Sequence, residues 1–94
     1  MITFQELAND LERHLHGTVD ADFVRQQYRN SDNPGITALM SSIEHFLSDS
    51  DIRGKDINYR EMQEQEMMKL IKLLRSGRID DARGITFLQK SKAI

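Results

Sequence analysis

Cysteine and tryptophan are absent from this 94-residue chain, and proline occurs once. Without thiols there is neither a disulfide scaffold nor a Cys-based metal site, which is consistent with a reducing compartment. Strand signals are missing too: nowhere do β-branched residues alternate with polar ones over a sustained run. No apolar stretch approaches the roughly 20 residues that a membrane span takes. The sequence opens on an amphipathic pattern, not on a basic segment followed by an apolar one, so no signal peptide is expected and the protein is expected to be cytoplasmic. Glycine-rich phosphate loops, nucleophile elbows and paired-histidine metal motifs are also lacking. These absences point away from an enzyme. No catalytic residue, metal, cofactor, membrane contact or small-molecule substrate is expected.

What remains is a helix-forming sequence. Hydrophobic residues make up 38% and charged residues 30%, enough for one folded domain with one core. The expected fold is all-α: a small single-domain bundle of about five helices spanning 1–94, built around a long central helix near residues 57–76. Thr3 with Glu6 reads as a capping box for a first helix over 4–16, closed by Gly17. Phe4, Leu7, Ala8, Leu11 and Leu15 form its apolar stripe. A second helix over 21–29 starts behind Asp20 or Thr18, with Ala21, Val24 and Tyr28 on one face. Asn33 and Pro34 open a third over 35–48. Its Ile36, Leu39, Met40, Ile43, Phe46 and Leu47 fall within an arc of roughly 120° at about 100° per residue. A polar loop is expected from Asp49 to Asp56, and a last helix over 80–90.

The long helix carries the strongest signal. From Met67 to Leu74 only Lys69 and Lys72 are polar. Its apolar residues cover an arc of roughly 220°, about twice what an ordinary surface helix needs. Such a helix must be surrounded, by its own chain or by a partner. Met67, Leu70, Ile71 and Leu74 are therefore the expected anchors of a partner-binding face. The flexible methionines suit an adaptable contact surface. The function expected is a noncatalytic protein–protein interaction module or small adaptor, as a homodimer or with one protein partner.

Charge divides along the chain. Residues 1–68 carry six Lys/Arg against thirteen Asp/Glu, and residues 69–94 carry seven against two. Lys69, Lys72, Arg75, Arg78 and Arg83, with Lys90 and Lys92, are the expected contacts for an acidic partner, or for nucleic acid in the second reading of the chain as a small regulator. Complementing the helix dipole accounts for part of the same order, with Glu61, Glu64 and Glu66 early and Lys69, Lys72 and Arg75 late. A helix-turn-helix is disfavoured by Asp20 and Asp22, which would meet phosphate at the start of the second helix.

Two stretches carry a partial resemblance. Asp49, Asp51 and Gly54 resemble the start of an EF-hand calcium loop, but Arg53, Asp56 and Arg60 stand where an oxygen ligand, an apolar residue and a bidentate Glu belong. Leu73 to Lys90, with Gly77, Ile79, Asp81 and Ala82, resembles the hairpin of a tetratricopeptide repeat. Glu66 and Lys69 depart from it, and no second copy occurs. A generic αα-hairpin with Ala82 at the crossing is expected. Of the histidines, His14 borders the apolar stripe, while His16 and His45 are expected to face solvent.

Overall fold

Each of the first three helices begins where a side chain can accept an orphan amide proton. In the computed structural model, which describes residues 3–85, these are α1 (Phe4–Leu15), α2 (Ala21–Tyr28) and α3 (Pro34–Ser48). Thr3 and Glu6 exchange bonds as the expected capping box. Asp20 accepts from the Phe23 amide, and Asn33 accepts from the Gly35 amide with Pro34 behind it. Then come α4 (Ser50–Lys55), α5 (Ile57–Arg75) and the single turn α6 (Ile79–Ala82). Among the described residues no strand occurs, and the domain is the all-α bundle expected.

Helices α1 and α5 stop in the same way. Gly17 and Gly77 take φ of 78° and 76°, a region that side chains with a Cβ enter at a cost. The left-handed turn lets Thr18 N reach Arg13 O and Arg78 N reach Leu73 O, both at 2.9 Å, which satisfies carbonyls the helix leaves open.

The core forms where the apolar stripes meet. Leu7, Ala8 and Leu11 of α1, Val24 and Tyr28 of α2, and the whole expected set of α3 are buried. From α5 come Met67, Leu70, Ile71 and Leu74, and from the turn α6 comes Ala82. Burying a Leu, Ile or Met side chain in this way contributes about 1.5–3 kcal/mol. Gln5 Nε2 donates to Arg75 O at the far end of α5, while Leu15 flanks Met68, so α1 and α5 run antiparallel.

Two expectations are corrected. The Asp49–Asp56 stretch is not a loop but the short helix α4. Its helical turn carries Arg53 inward, where the guanidinium finds partners on α3 and α5. The last helix is confined, among the described residues, to Ile79–Ala82, where Gly84 at a turn follows it. Arg83, Gly84 and Ile85 are not helical, and residues 86–90 of the expected helix lie outside the described residues.

Candidate functional site

A polar network lies where α3, α4 and α5 meet. Gln63, on the inner face of α5, is 0% exposed. Its Oε1 accepts from Arg53 Nη1 at 2.7 Å, and its Nε2 donates to Asp49 Oδ2 and to the Tyr59 hydroxyl, each at 3.0 Å. The Tyr59 hydroxyl in turn donates to Asp49 Oδ2 at 2.7 Å. Arg53 also donates to the Phe46 carbonyl, and its guanidinium stands 3.8 Å from the Phe46 ring centre. The network thus ties the C-cap of α3 to α4 and to the first turns of α5. Burial lowers the Arg53 pKa, with Asp49 and Glu64 opposing; the guanidinium is so basic that it stays charged. Asp49, the first acid of the apparent calcium loop, is occupied by these donors. Among the described residues no group of three or more His, Asp or Glu is placed to hold a metal.

Burial raises the Tyr59 pKa to about 12, and the bond to Asp49 adds to it. Tyr28, buried and donating to Asp10, is raised for the same two reasons in the same order. A phenol whose folded pKa exceeds its unfolded value of about 10 stabilises the fold in its neutral form. That contribution is complete below about pH 10 and is lost as pH rises through the folded value. Urea midpoints measured from about pH 8 to 12 are therefore expected to fall above about pH 10, and the fall should be shallower in Tyr28→Phe and Tyr59→Phe. An unchanged slope in both variants would show that other groups cause the loss.

The second feature is a groove of about 490 Å³ between the C-terminal half of α1 and the C-terminal half of α5. Leu15, Met68 and Ile71 give it an apolar floor, and Gln65, Lys69, Lys72 and Arg75 edge it. Met68 is 60% exposed, the largest value among the exposed large hydrophobics of the described residues. An ion pair between Arg75 and Glu12 walls it from a polar depression that contains Glu6, Asn9, Asp10 and Arg13. The hydrogen bond and the charge of Arg75 hold Glu12 below the usual carboxylate range.

The expected anchors are not the exposed ones. Met67, Leu70, Ile71 and Leu74 are all buried in the domain's own core, where α1 packs along α5. Only Ile71 also borders the groove. Of the wide apolar arc it is Met68 that faces outward, with Leu73 half-buried. Among the expected cationic contacts, Lys69 pairs with Glu66, Arg75 with Glu12 and Arg78 with Asp81. Lys72 and Arg83 are exposed without an ion pair to a described residue, and Lys90 and Lys92 lie outside the described residues. His14 sits at the core edge as expected, with Nδ1 2.9 Å from Val19 O and its ring edge-on to Phe46 at 6.2 Å. Since a carbonyl only accepts, that nitrogen carries the proton. His16 and His45 are exposed.

No protein-family profile, curated protein or solved structure matches the chain. No helix among the described residues is long and apolar enough to cross a membrane.

Proposed function

We propose that this protein is a small noncatalytic protein–protein interaction module, and that its binding surface is the groove between α1 and α5. The supporting observation is Met68: a large flexible apolar side chain, exposed, with Leu15 and Ile71 beside it and charged groups at the rim. An apolar centre with a polar rim is the usual anatomy of a protein interface. Methionine is well suited to its middle because its unbranched chain adapts to a partner's shape. The groove runs along a helix and suits a helical partner segment, apolar on one side and carrying acids to meet Lys72, with Lys69 and Arg75 shared between those acids and their own Glu66 and Glu12. Met68 and Leu15 thus take the anchoring role that the sequence pattern gives to Met67, Leu70 and Leu74.

The alternative reading, nucleic-acid contact through Lys69, Lys72, Arg75, Arg78 and Arg83, has less support. Three of those five cations already face carboxylates of their own chain. Phosphate binding through them would weaken steeply with salt, whereas contact through Met68 would not.

The test is photocrosslinking in the cells that make the protein. Benzoylphenylalanine at position 68 is expected to yield protein adducts, and the same probe at exposed Ala38 on α3 is expected to yield none. A probe at position 68 that leaves only the uncrosslinked chain would overturn the reading.

A further inference from the structure

The charge order along α5 makes its exposed flank complementary to itself when reversed. On a helix of about 100° per residue, Ile57, Glu61, Glu64, Met68, Lys72 and Arg75 lie within about 80° of one another. This stripe runs beside the buried face, not opposite it. Ile57 is 59% and Met68 60% exposed. Glu61 and Glu64 lie before Met68, two turns and one turn away, and Lys72 and Arg75 lie one and two turns after it. A two-fold axis through Met68, with two α5 helices antiparallel, sets Glu61 against Arg75 and Glu64 against Lys72. It does so twice, with Met68 against Met68 at the centre. A parallel pair would instead set like charge on like. Resting on the groove as the binding surface, we propose that its occupant is a second copy of this chain, docked antiparallel through α5.

Several features fit that occupant. The groove lies along the C-terminal half of α5, where α1 supplies its second wall, so each copy receives the acidic N-terminal half of the other's α5. The stripe steps by four, three, four, four and three residues, close to the repeat that lets two helices pack at about 20°. Met68 and Leu15 give the dry centre, and the charged pairs lie on either side of it. Lys72 has no ion pair to a described residue, whereas Arg75 already faces Glu12 and would share its charge with Glu61 of the second copy. Glu64 pairs with Arg60, a largely solvated contact within one helix at 3.2 Å, and also feels the charge of Arg53. Such pairs are weak enough to rearrange or share. Self-complementarity of one patch is what an isologous two-fold contact requires. Ile57, about 16 Å along the helix from Met68 at about 1.5 Å per residue, reaches past the end of the partner's α5.

The experiment is a charge swap read by sedimentation equilibrium of the full chain. The wild type is expected to be a dimer in reversible exchange with monomer. Glu64→Lys sets one lysine against another across the axis, and Lys72→Glu sets glutamate against glutamate. Each variant alone should therefore associate roughly tenfold more weakly or worse. Mixed one to one, the two variants regain opposite charges at both symmetric positions and should recover the dimer as a heterodimer. Neither position is buried, and unchanged circular dichroism is the check on folding. A wild type that stays monomeric at millimolar concentration overturns the dimer, while adducts of other mass from position 68 would leave the groove's binding role standing. A dimer indifferent to either swap, or a mixture that does not recover, overturns the antiparallel register.

Discussion

Glutamate at position 67 is expected to unfold the domain, while glutamate at position 68 leaves it folded and abolishes its association. The two methionines are neighbours in sequence and about 100° apart around α5. Met67 is 0% exposed and Met68 60%. A carboxylate at position 67 would sit among the apolar side chains of the core with no donor supplied for it, at a cost of several kcal/mol. A domain of this size holds only about 5–15 kcal/mol in total. The buried carboxyl escapes part of the penalty by staying protonated, so its folded pKa rises well above the usual value of about 4.3. Met67→Glu should therefore regain some stability, relative to wild type, as pH falls toward about 4. Leu74→Glu is expected to behave in the same way, since Leu74 is almost equally enclosed. At position 68 the new charge stays in water, so far-ultraviolet circular dichroism should match the wild type, and the melting curve should match it at concentrations where the wild type is monomeric. A folded Met67→Glu protein at neutral pH would contradict the core described above. Loss of association in Met67→Glu alone carries no information about the interface, because unfolding removes any surface.

The contrast between those neighbours marks how much of the molecule the sequence reveals. Helices with a narrow stripe and a strong cap are legible: the capping box of Thr3 and Glu6, the Asn33–Pro34 start and the six buried positions of α3 all follow from spacing. The wide arc of α5 is legible as a demand for cover but not as an assignment of cover. Periodicity gives the width of an apolar face, whereas the tertiary arrangement decides which edge of it stays wet. The four residues at its centre go to the core and Met68 is left outside. Exposed Met68 has only a weak signal in sequence: its flank continues into Glu61, Glu64, Lys72 and Arg75, polar positions that a core face would not share. Helix α4 reads as a loop because Asp, Ser and Gly favour turns. What outweighs them is tertiary contact, the insertion of Arg53 between Phe46 and Gln63. Gln63 lies in a Glu/Gln-rich run, with nothing local to distinguish it from Gln65, which is exposed.

Removing the Arg53 side chain is the second substitution with a large expected effect. Arg53→Ala leaves Gln63 Oε1 buried without its donor, which costs about 1–3 kcal/mol. It also removes the cation from the Phe46 ring, a contact of about 1–2 kcal/mol when desolvated. The sum, about 2–5 kcal/mol, should lower the melting temperature by roughly 10–25 °C in a domain of this length. The loss should be local before it is global. Helix α4 has six residues, buries none of them fully and has no side-chain cap, and a helix that short is not stable alone. Hydrogen exchange at α4 amides is therefore expected to accelerate in Arg53→Ala well before amides of α3 and the middle of α5 respond. Arg53→Lys should rescue only part of the loss, because one nitrogen, Nη1, makes both hydrogen bonds and an ammonium could stand in for it, but not for the planar guanidinium over the Phe46 ring. Arg53→Met combined with Gln63→Leu is the informative partner experiment. It removes the donor and the acceptor at once, leaves Tyr59 to satisfy Asp49, and should cost less than the two single changes added together. Additive losses would mean that Arg53 and Gln63 act independently, and that α4 is held by something other than the bond between them.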